Sequence, residues 1–130
     1  MKCVIDSYAW LEYFMGTPVG LKAKEILESS SIEKFVPSIC MCEVYTKVLR
    51  TESLEKAELF RGFMRALSAV IPLDETLAVE TAKVDVEMKK STLGWGLADS
   101  VVLATARRRK AQILTGDEHF RNLPDVIFLK

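Results

Sequence analysis

Five short segments carry the strand signal in this chain, and none of them alternates apolar with polar residues. They are Cys3-Val4-Ile5, Lys34-Phe35-Val36, Ala69-Val70-Ile71-Pro72-Leu73, Gln112-Ile113-Leu114 and Val126-Ile127-Phe128-Leu129. A strand with one wet face alternates. A strand that does not alternate must be covered on both faces, which is the condition of a parallel sheet sandwiched between helices.

The segments between the strands have helical spacing. Ser7 to Phe14 places Trp10, Leu11 and Phe14 on one face, and Gly16 and Pro18 are expected to stop it. Gly20 to Ser29 reads as a second helix. Ser38 is the expected N-cap of a helix running to about Arg50. Ser53 caps the next, with Leu59, Phe60, Phe63, Met64 and Leu67 as a wide apolar stripe. Asp74 caps a helix to about Lys90, with Ala78, Val79, Ala82 and Val86 expected toward the core. A glycine-bearing loop, Ser91 to Gly96, precedes a helix from Leu97 to Lys110, and Gly116 to Arg121 reads as a turn with a short helix. There is no internal repeat, linker or low-complexity tract. The expectation is one α/β domain over residues 1–130, a three-layer α/β/α sandwich around a central parallel sheet.

Composition narrows the function classes. Of 130 residues, 49% are apolar, enough for a packed globule. Eighteen basic and eighteen acidic residues cancel, which excludes attachment to nucleic acid by bulk charge but leaves room for a local basic surface. The chain enters a strand at once, without a charged and then apolar leader, and no apolar run approaches the ~20 residues of a membrane span. A cytoplasmic protein is expected. With three cysteines, one histidine and no CxxC pair, a Cys/His zinc site is not expected. Cys40 and Cys42 diverge on their helix, and the thiols are read as small buried side chains in a reducing compartment.

In open parallel sheets, sites form beyond the carboxyl ends of the strands. Asp6 ends the first strand, and Thr115, Gly116 and Asp117 follow the fourth. Glu43 lies about one turn into the helix after the second strand, and Asp99 is in the first turn of the Leu97–Lys110 helix. Each has an ordinary explanation alone: turn residue, cap, dipole partner, or, for Glu43, an exposed pair with Lys47. Together they place four carboxylates at one end of the sheet. Two carboxylates ~5 Å apart repel by about 3 kcal/mol at an effective dielectric of ~20. A divalent cation relieves that, and an all-oxygen donor set selects a hard ion, Mg²⁺ or Mn²⁺. Metal held by carboxylates is a standard device for phosphodiester cleavage.

Four blocks of the sequence resemble PIN-domain ribonucleases, most nearly the VapC-type toxins of toxin–antitoxin pairs. They are Val4-Ile5-Asp6-Ser7, the Ser38–Arg50 helix with Glu43, Gly96-Leu97-Ala98-Asp99-Ser100 with Leu103-Ala104-Thr105-Ala106, and Leu114-Thr115-Gly116-Asp117-Glu118-His119-Phe120. The resemblance implies a Mg²⁺- or Mn²⁺-dependent endoribonuclease, frequently a homodimer, often with a cognate antitoxin. It assigns Asp6, Glu43, Asp99 and Asp117 to the catalytic metal site, with Ser7 and Thr115 in support. Two positions depart from the family pattern: Tyr8 replaces a small hydroxyl residue, and His119 stands where some members carry a further acid.

Lys47, Arg50, Lys89 and Lys90 are the cations best placed to meet RNA phosphates, and Trp95 is a candidate for stacking on a base. The Arg107-Arg108-Arg109-Lys110 run lies about 12–16 Å from Asp99 along its helix and is read as stabilising the helix end. His119 is read as structural. Two alternatives stand beside the toxin reading: a PIN nuclease for RNA processing or DNA without an antitoxin, and a non-catalytic module that docks RNA or protein. A receiver domain is set aside, because Asp6 is followed by Ser7 and Thr115 by Gly116.

Overall fold

The computed structural model describes residues 1–130. Its elements run β1 (Lys2–Ile5), α1 (Ser7–Met15), α2 (Pro18–Leu27), β2 (Glu33–Pro37), α3 (Ser38–Thr51), α4 (Leu54–Leu67), β3 (Ala69–Ile71), α5 (Glu75–Lys89), α6 (Leu97–Arg109), β4 (Gln112–Thr115), a 3₁₀ turn (Glu118–Phe120) and β5 (Val126–Phe128). All strand pairs are parallel, in the order β3-β2-β1-β4-β5. Val4 pairs with Phe35 on one side and with Ile113 on the other. The three middle strands β2, β1 and β4 are therefore covered on both faces, and their side chains are almost wholly buried. This is the expected parallel sheet flanked by six helices.

The chain builds outward from β1 to β3, then returns to the far side of β1 to add β4 and β5. Because parallel crossovers are right-handed, this reversal puts α1–α4 on one face and α5–α6 on the other. It also makes the gap between the carboxyl ends of β1 and β4 the topological switch point, where a crevice opens.

Several local expectations are corrected. Pro18 opens α2 instead of ending α1: it occupies the first turn, where no N–H is needed, and the Thr17 hydroxyl accepts from Gly20 N at 3.0 Å. Gly16, in the left-handed conformation (φ 69°), closes α1 unaided. A side chain at Gly20 would overlap the Glu12 carbonyl, so the close approach of α2 to α1 requires glycine there. Ser38 is not a cap. Pro37 holds the cap position without a side-chain bond, and the Ser38 hydroxyl instead accepts from Leu73 N at 3.3 Å. On α5 the buried stripe is Leu77, Thr81, Val84 and Met88, while Ala78, Val79, Ala82 and Val86 face solvent. A threonine inside the true stripe and valines outside it misdirect an apolar count. On α4, Leu59 and Phe63 are exposed, whereas Phe60 stacks on Phe14 at 4.2 Å between centroids. Cys3 and Cys40 are buried as expected, and Cys42 is exposed. No helix is long and apolar enough to cross a membrane.

Candidate active site

Asp6 leaves β1 at the switch point and caps α1. Its Oδ1 accepts from Ser7 N at 2.8 Å, and its Oδ2 accepts from the Thr115 hydroxyl at 2.7 Å. The same Thr115 hydroxyl, fully buried at the end of β4, accepts from Asp117 N at 3.0 Å. One side chain thus ties the ends of the two central strands together and sets the turn that presents Asp117. That carboxylate in turn caps the 3₁₀ turn, accepting from His119 N at 2.9 Å. Asp99, the third residue of α6, accepts from Gly96 N at 3.0 Å, reaching back over the start of its own helix.

Glu43 projects from α3, and its carboxylate, the Cys40 thiol and the Asp6 carboxylate offer ligand atoms within 4.8 Å of one another. Cys40 and Glu43 are three apart and share a helix face. A second group with the same span comprises Asp99, Asp117 and His119. The two groups act on each other. Asp6 is only 6% exposed, and burial pushes its pKa up to about 6; the Thr115 and Ser7 hydrogen bonds oppose the rise, and the charges of Asp117 and Glu43 add to it. The pKa of Glu43 is raised as well, first by burial, with Ser7 opposing and Asp99 and Asp117 adding. Four carboxylates drawn from β1, α3, α6 and the end of β4 thus form one electrostatic cluster.

No lysine or arginine pairs with any of the four; the one nitrogen base beside them is His119, whose Nδ1 lies 2.8 Å from Asp99 Oδ2 and 3.6 Å from Asp117 Oδ1. Its pKa is raised, mainly by the hydrogen bond to Asp99. An acid cluster left without lysine or arginine, with carboxylate oxygens still free to coordinate, fits a divalent cation.

The loop before α6 is pinned from behind. The Trp95 indole N–H donates to Ser100 Oγ at 2.7 Å, and Ser100 donates to Asp85 Oδ1 at 2.8 Å. Asp85 also holds Lys89 at 2.9 Å. This chain fixes Gly96, hence Asp99. It also corrects one expectation: Trp95 is 3% exposed and packed on Phe120, so its ring belongs to the core and is not presented to a base. Lys89 is engaged by Asp85. Lys47, Arg50 and Lys90 are exposed and make no ion pair, and the Glu43–Lys47 surface pair does not form. Arg107 and Arg108 pair with Glu87 and Asp74, and Arg109 lies over Phe35, all toward the far end of α6. Tyr8 packs its ring against Gly116, where any side chain would overlap it. One member of the cluster was not expected from sequence, Cys40, one turn before Glu43; His119, read from sequence as structural at a position where some PIN proteins carry an acid, stands in the cluster as well.

A sequence model of the PIN domain family matches residues 3–126. The chain is a PIN domain. Solved structures share the fold of this PIN domain over nearly its whole length. A toxin–antitoxin complex from Klebsiella pneumoniae aligns with a TM-score of 0.77 at 17% identity, covering 98% of both chains. The VapC20 toxin of Mycobacterium tuberculosis, described as cleaving the sarcin–ricin loop, aligns with a TM-score of 0.78 at 15% identity, covering 95% of this chain and 96% of that one. DNA-bound VapBC of Salmonella typhimurium aligns with 0.77 at 14% identity, over 100% and 99%. Among curated proteins, an adenylate kinase of Pseudothermotoga lettingae is 34% identical over 70 residues, 54% of this chain. The match spans 31% of that protein's length. This PIN domain contains no Gly-Lys step of the kind that ends a nucleotide-binding phosphate loop.

Proposed function

We propose that this PIN domain is a Mg²⁺- or Mn²⁺-dependent endoribonuclease and the toxin of a toxin–antitoxin pair. The observation that carries the reading is the convergence of Asp6, Glu43, Asp99 and Asp117 at the switch point with no lysine or arginine to neutralise them. The neighbouring folds, among them a toxin described as cleaving the sarcin–ricin loop and a toxin–antitoxin complex, support substrate and partner classes.

Asp6, Asp99 and Asp117 would hold the ion, with Glu43 completing the shell. Such an ion supplies a water of lowered pKa and offsets charge on the phosphate and leaving oxygen. The protein's own contribution is positional. Thr115 locks Asp6 to the turn that carries Asp117, Gly96 N fixes Asp99, and the helix α3 brings Glu43 over the same point. Lys47, Arg50 and Lys90, exposed and without an ion pair, are the cations this reading assigns to the RNA backbone. The outward apolar side of α5 offers a surface for a second copy, giving a homodimer.

The decisive experiment is cleavage of labelled single-stranded RNA by the purified chain, with Mg²⁺, with Mn²⁺ and with chelator, alongside growth of cells expressing the chain with and without its neighbouring gene. Metal-dependent cleavage lost in Asp99→Asn, and growth arrest relieved by the neighbour, are expected. Cleavage without growth arrest would point to an RNA-processing nuclease, and no cleavage with either ion to a non-catalytic module.

A further inference from the structure

The histidine in the cluster is seated with care. One edge of the His119 ring abuts Gly94, whose φ of 80° suits glycine and where an added Cβ would come within 3.2 Å of Nε2. Trp95, itself pinned by Ser100 and Asp85, stands beside the ring with centroids 6.4 Å apart. The opposite edge points Nδ1 into the carboxylates, 2.8 Å from Asp99 Oδ2 and 3.6 Å from Asp117 Oδ1. Neighbouring ligand atoms around a six-coordinate ion with bonds of about 2.1 Å stand about 3 Å apart. The nitrogen stands at that spacing from Asp99 and 3.6 Å from Asp117, and ligand atoms of all three residues lie within 4.8 Å of one another. Nε2 has no protein acceptor, so it is free to carry the ring proton while Nδ1 offers a lone pair.

We propose that His119 is a nitrogen ligand to the ion held by Asp99 and Asp117, so that this site prefers Mn²⁺ to Mg²⁺. The proposal rests on the reading of the acid cluster as a metal centre. Its basis is ligand chemistry: an imidazole adds little affinity for Mg²⁺, which keeps to oxygen and water, and more for a first-row transition ion. In the absence of an ion the same Nδ1 bonds Asp99, which keeps the ring in register.

The test uses the full chain without an affinity tag. It holds a single histidine, so any imidazole coupling belongs to His119. Mn²⁺ is added, and electron spin-echo spectroscopy reads nitrogen coupling. Calorimetry gives the Mn²⁺ and Mg²⁺ dissociation constants for the native chain, His119→Gln and Asp99→Asn. Expected are an imidazole nitrogen signal in the native chain, absent from His119→Gln, and an Mn²⁺ over Mg²⁺ preference at least tenfold smaller in that variant. Mn²⁺ binding that needs Asp99 but shows no nitrogen coupling overturns the ligand assignment and leaves the metal centre standing, with His119 a positioning residue. No Asp99-dependent binding of either ion overturns the metal centre itself. The native spectrum decides the ligand question even if His119→Gln folds poorly.

Discussion

The buried carboxylate of Asp6 carries a cost that can be measured on the metal-free protein. Its pKa is 3.8 in an ordinary setting and about 6 in the fold, principally because it is buried. Between these values the folded chain holds a proton that the unfolded chain has released, so stability falls as pH rises through that window. Below 3.8 both states are protonated and the effect is absent; above about 6 both are ionised and it is complete, at about 3 kcal/mol. Asp6→Asn removes the charge and keeps the shape. The amide oxygen still accepts from Ser7 N, but the amide nitrogen then faces the Thr115 hydroxyl, whose O–H loses the acceptor it had in Asp6. That mismatch costs about 1 kcal/mol. The net expectation in chelator at pH 7.5 is a gain of about 2 kcal/mol, roughly 8 °C in Tm for a chain of this length. Melting curves of both proteins from pH 3.5 to 8 are the assay. The gain should shrink below pH 6 and turn into a small loss near pH 3.5, where only the mismatch remains. A variant less stable than the native chain at pH 7.5, or a difference that does not change with pH, would refute the reasoning.

Thr115→Val leaves one oxygen of Asp6 and the Asp117 N–H without their partner; urea denaturation should show a loss of about 1–3 kcal/mol, and Thr115→Ser should recover most of it. Gly116→Ala forces the Tyr8 ring aside and should cost about 1–3 kcal/mol, much less in a Tyr8→Ala background, as a double-mutant cycle will read. Trp95→Phe removes the bond to Ser100 and should cost about 1–3 kcal/mol in denaturant while leaving RNA affinity in filter binding unchanged, because the ring lies in the core. A drop in affinity beyond what unfolding explains would return Trp95 to the RNA-contacting surface.

The sheet is legible in the sequence because its three middle strands carry no alternation and are covered on both faces; the edge strand β3 does not alternate either, yet leaves Ala69 and Val70 exposed. The four acids are legible because each sits at a strand end or in the first turns of a helix, and the switch-point geometry gathers such positions. Features set by tertiary neighbours are not. The role of Trp95 depends on Ser100 and Asp85, from two other helices, and His119 depends on the loop at Gly94 approaching from α6. Ser38 loses the capping role to backbone already carried by β2, and the buried side of α5 runs through Thr81, which no apolar count would choose. Local chemistry writes the elements; what one element finds on another does not appear in its own residues.

The strand order has a consequence for how this protein folds. The bond from Thr115 to Asp6 joins residues 109 positions apart. Until β4 docks beside β1, Asp6 has no partner for its Oδ2, and Asp99 and Asp117 have no fixed place. Contacts so distant along the chain form late. The acid cluster therefore assembles only when β4 closes on β1, and it reports the completion of the sheet: no partly folded form that lacks β4 can gather the four carboxylates.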